Sequence, residues 1–258
     1  MEVESQMNDL FLCHHGIKGQ KWGVKNGPPY PIESGQSERS YTVKNLKGSR
    51  VSNLDKWGKD AEHNVLFIVG YSGSGKSTTA LGLKKPGDSV IHLDNFIEGN
   101  YDSKKRDPKF VSYLDRNVPD WKELSESAAN KSKVKHFSKE YWKLVDDFVG
   151  AIHSFGIEEF KKGHRVITEG VQISDDWWGD KNLLKEKPMI FLQTSVFKAM
   201  SRAYNRDVGE SILKELRTPR RVLEYVKRYS NAHKLVKDLA DSVDAKRGKK
   251  YIEELLKM

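Results

Sequence analysis

The chain has 258 residues, of which 37% are hydrophobic and 31% are charged, and its formal net charge is +9. This length is sufficient for one main domain with a substantial core, together with an extension. No apolar run approaches the roughly 20 residues that a membrane-spanning helix needs, so we expect no membrane partner. The single cysteine, Cys13, excludes a disulfide within the chain and is typical of the reducing cytoplasm.

The positive charge is concentrated in the C-terminal third of the chain. Residues 181–258 contain 19 Lys and Arg against 10 Asp and Glu, whereas residues 1–180 are neutral. One interpretation is a phosphate-facing surface that attracts nucleotide or nucleic acid. The other, which the sequence supports equally, is a set of lysine-rich helices with solvated outer faces.

Residues 1–60 predict an extension or linker outside the main fold. Residues 27–31 and 34–37 are rich in Gly, Pro and Ser, and no regular periodicity persists around them. The first 13 residues are acidic and lack both a basic flank and a long apolar core, so we expect no secretory signal. Cys13, His14 and His15 could ligate a metal, but no second cluster of ligands accompanies them.

From Val65 onward, apolar runs typical of strands alternate with helical patterns. Two helices are predicted from their apolar stripes, one at 137–155 and one behind the cap and first-turn pair Thr218-Pro219. This alternation predicts an α/β fold with a central parallel sheet, in a domain that spans residues 61–258. The strand candidates are residues 65–69, 90–93, 166–168 and 189–193.

The most informative motif joins the first strand to a helix. Gly70, four further residues and then Gly75-Lys76-Ser77 form the pattern G-x-x-x-x-G-K-[ST]. In this pattern the glycines let backbone N–H groups face a β-phosphate, Lys76 reaches the β- and γ-phosphate oxygens, and the Ser77 hydroxyl can ligate Mg²⁺. The helix expected to begin near Lys76 adds its positive N-terminal end. The predicted nucleotide-binding residues are Gly70, Ser72, Gly73, Ser74, Gly75, Lys76, Ser77 and Thr78.

Two acidic residues follow the next strands, Asp94 after the second and Glu169 after the third. Because the carboxyl ends of parallel strands meet at one edge of the sheet, both can reach the loop. Asp94 could accept a proton from an acceptor hydroxyl or hold Mg²⁺ through water, and its alternative role is to cap a helix or turn. Glu169 stands where a carboxylate that organises Mg²⁺ is expected, and Gly170 would let the chain turn close to the nucleotide. The predicted metal site therefore comprises Ser77, Asp94 and Glu169.

A helix is predicted at 197–207, after the fourth strand. Arg202 and Arg206 are four residues apart, so both guanidinium groups lie on one helical face. Guanidinium groups match phosphate oxygens, and a mobile segment at 195–217 could close over the transferring group and exclude water. The alternative for Arg206 is a surface ion pair with Asp207.

The segments GYSGSGKS, HLDNF, ITEGVQI and SRAYNRD, in this order, resemble the phosphate-loop kinases of nucleosides, nucleotides and small molecules. Uridine kinase-like, polynucleotide kinase-like and zeta toxin-like enzymes belong to this group. The resemblance covers residues 64–210 and implies a three-layer P-loop NTPase fold that binds ATP and Mg²⁺. In those families the loop Lys binds ATP, the Asp after strand two is the catalytic base, and lid arginines clamp phosphates. The roles carried over are those of Lys76, Asp94, Arg202 and Arg206.

Two features depart from those families. We find no fifth strand after residue 195, and the long segment between Asp94 and Val166 matches no acceptor signature. A helical insertion at 99–163, with Lys104, Lys105, Arg106 and Trp121, would help hold the acceptor. Nucleic-acid 5′ ends compete with nucleosides, nucleotides and small metabolites for that role, and the C-terminal charge favours the polyanion only mildly.

Residues 14–31, HHGIKGQKWGVKNGPPYP, resemble a short segment that recurs in proteins of tailed phages and prophages of Gram-positive bacteria. The resemblance implies a viral or prophage origin, association with the capsid or its assembly, and no catalytic activity of the segment. The protein would then act in the cytoplasm of the bacterial host or with the virion. Trp22 and Tyr30, flanked by Lys18, Lys21 and Lys25, could dock on a partner; the alternative is a flexible tail.

The motifs together predict a kinase that moves the γ-phosphate of ATP onto a hydroxyl or phosphate acceptor. The alternative from a different class is a phage structural or assembly protein that binds nucleotide without a kinase acceptor.

Overall fold

The structure, a computed structural model, describes residues 48–97, 105–129, 139–170, 186–206 and 219–257. The strands are β1 Arg50–Ser52, β2 Val65–Val69, β3 Ser89–His92, β4 Val166–Glu169, β5 Met189–Phe191 and β6 Lys246–Arg247. The helices are α1 Lys76–Leu83, α2 Asp94–Ile97, α3 Pro108–Asn117, α4 Trp121–Ala129, α5 Lys139–Lys161, α6 Val196–Arg206, α7 Pro219–Ser242 and α8 Lys249–Leu255. Cys13 and the segment 14–31 lie outside the described residues.

The six strands form one sheet in the order β3-β4-β2-β5-β1-β6. The first four strands in this order run parallel, whereas β1 pairs antiparallel with both β5 and β6. The predicted α/β class is confirmed, but the sheet is mixed and not the parallel sheet that we predicted. The reason is that β1 pairs with the edge of β5, whose backbone groups would otherwise lack strand partners on that side, and β6 then pairs with β1.

The strand β2 lies inside the sheet, and its sequence VLFIV explains why. None of its five residues is more than 1% exposed. Successive side chains point to opposite faces, so Val65, Phe67 and Val69 pack in one apolar cluster while Leu66 and Ile68 pack in another. Residues of α2 to α7 belong to the first cluster, and residues of α1 and α8 belong to the second. A strand that is apolar on both faces requires such cover on both sides.

The four predicted strands are confirmed as β2, β3, β4 and β5, with ends that differ by at most two residues. The linker predicted at residues 1–60 needs a correction at its C-terminal end, because Arg50–Ser52 is β1. The prediction that no strand follows residue 195 was wrong, because Lys246–Arg247 is β6. Both strands are too short for alternation of apolar and polar residues to reveal them.

The side chain of Arg50 ties β1 to the C-terminal part of the chain. Its Nε donates to the carbonyl oxygen of Ala245 at 2.6 Å, and its guanidinium forms an ion pair with Asp241. Val51 is 7% exposed and packs in the same cluster as Ile252 of α8. These contacts hold β1 against the edge of β5.

Two truncations should separate β1 from the segment before it. Deleting residues 1–47 should leave the fold and ATP turnover intact, because β1, the first strand among the described residues, begins at Arg50. Extending the deletion to residue 52 removes the buried Val51 and uncovers β5, so the free energy of unfolding should fall by at least about 2 kcal/mol. Urea denaturation measures the free energy of unfolding of both truncations. Equal stability of the two truncations would contradict the role of β1, and loss of turnover in the shorter deletion would place part of residues 1–47 in the site.

The two long helices predicted from apolar stripes are confirmed as α5 and α7. Tyr141, Phe148 and Phe155 of α5 are buried, as is Val236 of α7, whereas Val222 near the start of α7 is 38% exposed. Thr218, the predicted cap, lies outside the described residues. None of the helices in the described part of the chain combines the length and the apolar composition that crossing a membrane demands.

Candidate functional site

The glycine-rich loop connects Val69, the last residue of β2, to Lys76, the first residue of α1. Gly73 and Gly75 have φ angles of 75° and 102°, in the left-handed region that favours glycine. A Cβ on Gly73 would overlap the carbonyl oxygen of Ala199 in α6, whereas a Cβ on Gly75 would meet no atom within 4 Å. The loop is therefore closed against α6 and open at the N-terminus of α1, where helix N–H groups can receive an anion.

Lys76, Ser77 and Glu169 meet beside this loop. The Nζ of Lys76 lies 3.9 Å from Oε2 of Glu169 and donates to the carbonyl oxygen of Tyr71 at 3.5 Å. The Oγ of Ser77 donates to Oε1 of Glu169 at 2.8 Å. The side chains of Lys76 and Glu169 are 7% and 5% exposed, so the pair is buried. Lys76, Ser77 and Glu169, which were predicted from the sequence to bind phosphate or Mg²⁺, are thus in contact with one another through Glu169.

His92 is a further member of this cluster, and the sequence analysis gave it no role. Its Nδ1 lies 2.6 Å from Oε1 of Glu169. The register of β3 and β4 places these two residues opposite each other. The signal that could have revealed His92 is its position at the end of a strand, two residues before Asp94, at the sheet edge where the loop lies.

The neighbours of Glu169 keep it ionised. Burial by itself raises the pKa of this carboxyl, but the hydrogen bond with His92 and the charges of Lys76 and His92 outweigh burial and lower the pKa to about 2. Burial lowers the pKa of His92, but the hydrogen bond with Glu169 and the charges of Glu169 and Asp94 outweigh it, so the pKa of His92 is raised. Near neutral pH the site therefore contains a buried carboxylate that is hydrogen-bonded to Ser77 and His92 and forms an ion pair with Lys76.

The raised pKa of His92 predicts how stability depends on pH. The contribution of His92 should be complete below its unfolded-state pKa of about 6.5 and should be lost as pH rises through the higher folded-state pKa. The parent should therefore exceed His92→Asn in free energy of unfolding by more at pH ~5.5 than at pH ~8.5, with one unit of pKa difference corresponding to about 1.4 kcal/mol. Urea denaturation in metal-free buffer measures this. A difference that is constant or grows with pH would contradict it.

Asp94 lies in the same corner of the site. It is the first residue of α2, two residues after the end of β3, and its charge helps to raise the pKa of His92. The side chain is half-buried. A capping Asp usually precedes the first helical residue, so the position of Asp94 within α2 fits the capping alternative poorly.

Of the two predicted arginines, the structure describes the side chain of Arg202 alone. Arg202 is half-buried in α6, and its Nη1 donates to the carbonyl oxygen of Gly73 at 3.3 Å. It therefore touches the glycine-rich loop itself. Arg206 ends α6, but its side chain lies outside the described residues, as do residues 207–217 of the predicted lid.

Tyr71, the second residue of the loop, was not assigned a role from the sequence because the motif leaves its position unconstrained. Its hydroxyl hydrogen-bonds with the carbonyl oxygen of Thr194, accepts from the Thr194 N–H at 3.1 Å, and lies 3.1 Å from Nδ1 of His233 in α7. The side chain is 1% exposed. These contacts fix the start of the loop to the segment after β5 and to α7.

The residues that were predicted to hold the acceptor have different surroundings in the structure. Trp121 is 1% exposed and packs in the core, so it cannot contact an acceptor without rearrangement. Arg106 lies beside two aromatic rings, at 5.2 Å from the centre of the Phe96 ring and 5.1 Å from that of Trp121. Lys105 is exposed, and Lys104 lies outside the described residues.

The residues present fit a nucleotide phosphate with Mg²⁺. Ser77 and Glu169 supply the hard oxygen donors that Mg²⁺ prefers. The Oγ of Ser74, in the loop, is buried and has no hydrogen-bond partner among the described residues. Within those same ranges, no group of three or more His, Cys, Asp and Glu side chains is arranged to hold a metal. Mg²⁺ usually binds to proteins through one or two carboxylates, together with phosphates and water.

Comparison with protein-family models, with curated proteins and with solved structures finds no match to this chain. Function is therefore inferred from the geometry of the site and from the motifs that it unites.

Proposed function

We propose that the protein is an ATP-dependent phosphotransferase that moves the γ-phosphate to a hydroxyl or phosphate acceptor. The observation that carries this proposal is the contact of Lys76 and Ser77 with the buried Glu169 beside a loop that is open at the N-terminus of α1. A lysine, a hydroxyl and a carboxylate in this arrangement are the parts that phosphoryl transfer requires around a nucleotide.

Each side chain of the cluster has a separate task in this proposal. The backbone of Gly70, Ser72, Gly73, Ser74 and Gly75 and the N-terminus of α1, including Thr78, would hold the phosphates. Lys76 would exchange its contact with the carbonyl oxygen of Tyr71 for phosphate oxygens. Ser77 and Glu169 would hold Mg²⁺, which when bound neutralises charge on the β- and γ-phosphates.

Asp94 and Arg202 would act on the transferring group. Asp94, at the end of β3, would accept the proton of the acceptor hydroxyl. Arg202 already contacts the loop at Gly73, so its guanidinium would need only a local change to meet phosphate oxygens. We assign Arg206 to the same task because it shares a helical face with Arg202.

We also propose that the protein belongs to a phage or prophage, because residues 14–31 resemble the segment that recurs in such proteins. That segment would bind a capsid or assembly partner in the bacterial host cytoplasm or on the virion. The rival is an assembly component that binds nucleotide for structural control. Such a protein would bind ATP and show at most futile hydrolysis.

A screen of acceptor classes with γ-labelled ATP and Mg²⁺ tests the proposal. Nucleosides, nucleotides, 5′-hydroxyl oligonucleotides and small hydroxylated metabolites would each be added to the full chain. We expect label transfer to one class, above the hydrolysis seen with ATP alone. ATP binding with no transfer to any class would favour the rival, and no ATP binding would refute both.

A further inference from the structure

The guanidinium of Arg106 links α2, the short helix that begins at Asp94, to α4. It lies near both the ring of Phe96 and the ring of Trp121, at 5.2 and 5.1 Å from their centres, and both rings are at most 1% exposed. Its Nε donates to the carbonyl oxygen of Asn95 at 2.9 Å, and its Nη2 donates to Oγ of Ser125 at 3.3 Å. A planar group with diverging donors is needed to stack and donate in this way.

Two further hydrogen bonds join α2 to the same segments. The Oγ of Ser125 donates to the carbonyl oxygen of Phe96, and Nδ2 of Asn95 donates to the carbonyl oxygen of Lys105 at 3.2 Å. The two residues that follow Asp94 therefore have their carbonyl oxygens bonded to groups from the insertion. A helix of one turn makes too few internal hydrogen bonds to hold its own position, so external partners must fix it.

We propose that Arg106 is a positioning residue for phosphoryl transfer, because it fixes α2 and thereby the Asp94 carboxylate near His92. This inference rests on the proposed function. It also replaces the expectation that Arg106 contacts the acceptor, since its guanidinium already donates to Asn95 and Ser125 and lies beside the rings of Phe96 and Trp121.

Arg106→Lys tests the proposal, with Arg116→Lys as the matched control. Lysine keeps a positive charge beside the two rings but cannot form the same pair of hydrogen bonds to Asn95 and Ser125. We expect kcat for transfer to fall roughly 10- to 100-fold, as for a misplaced catalytic group, while the Kd for ATP stays within about twofold. Amide exchange at residues 94–97 should become faster. Arg116 is 57% exposed and pairs with Glu158 in the same insertion, so its substitution should change none of these quantities.

Ser125→Ala provides a second variant if Arg106→Lys does not fold. It removes the hydrogen bonds to Arg106 and Phe96 and keeps the guanidinium beside the two rings. A smaller fall in kcat, again with ATP affinity intact, would support the positioning role. Faster exchange at 94–97 with unchanged kcat would overturn it, as would equal losses of kcat and ATP affinity. If the parent transfers no phosphate, the proposed function fails. Amide exchange is a separate test: unchanged exchange at residues 94–97 in the variants would show that Arg106 does not fix α2.

Discussion

Lys76→Ala should abolish ATP turnover, with a loss of at least roughly 10²- to 10³-fold. Lys76 is the only cation in the segment GYSGSGKS, and its side chain is 7% exposed, so no other group of the loop can supply its charge. ATP affinity should also weaken, because the ammonium group would contact the phosphates of bound nucleotide. A coupled assay of ATP turnover and calorimetric titration with ATP and Mg²⁺ measure the two effects.

The fold should survive this substitution. Glu169 would keep its hydrogen bonds with Ser77 and His92, so the buried carboxylate would not be left without partners. Lys76→Met, which retains most of the side-chain volume, should behave in the same way and guards against a packing effect. Lys84→Ala, at the exposed end of α1, is the matched control and should leave turnover unchanged. Parent-like turnover in Lys76→Ala would exclude the loop as the basis of function.

Asp94→Asn should reduce transfer by roughly 10²- to 10⁴-fold, the usual range for a lost general base. Asparagine keeps the size of the side chain and much of its hydrogen bonding but cannot accept the acceptor proton. Affinity for ATP with Mg²⁺ should hold, because Lys76, Ser77 and Glu169 are unchanged. Transfer rate, ATP affinity and melting temperature on the same variant measure the effect.

Asp107→Ala gives the comparison for a structural carboxylate. Asp107 caps α3 by accepting from the N–H groups of Lys109 and Phe110. Its loss should cost about 1 kcal/mol of stability with transfer unchanged. If Asp94→Asn resembles Asp107→Ala, Asp94 is a structural residue and the kinase proposal loses its base. A matching collapse in affinity for ATP with Mg²⁺ would instead assign Asp94 to the metal.

The central strands could be predicted from the sequence because local patterns determine them. The run VLFIV is apolar on both faces, and such a strand must be covered on both sides. The strand β1 could not be found this way, since Val51 is the one apolar residue among its three. Its place depends on pairing with β5 and β6 and on a hydrogen bond from Arg50 to Ala245, 195 residues away. Contacts at such separation leave no periodic signal in a short window.

Part of the candidate site could also be predicted from the sequence. Lys76, Ser77 and Glu169 were predicted together because parallel strands end at a common edge, and they are in contact. His92 was missed because its significance arises from the register of β3 and β4, which the sequence does not reveal. Trp121 was misjudged for a related reason: an aromatic residue on a ligand surface and one in the core look alike until packing is known.

The strand β1 has a consequence for the order in which the protein folds. It is the earliest strand described along the chain, but both of its pairing partners come much later, and β6 is the last. During synthesis, residues 50–52 can therefore pair with β5 only after residues 189–191 have left the ribosome, and with β6 only after residues 246–247 have followed. Pairing over such long sequence separations is slow, so closure of this edge should be a late step in folding, after β2, β3 and β4 have assembled.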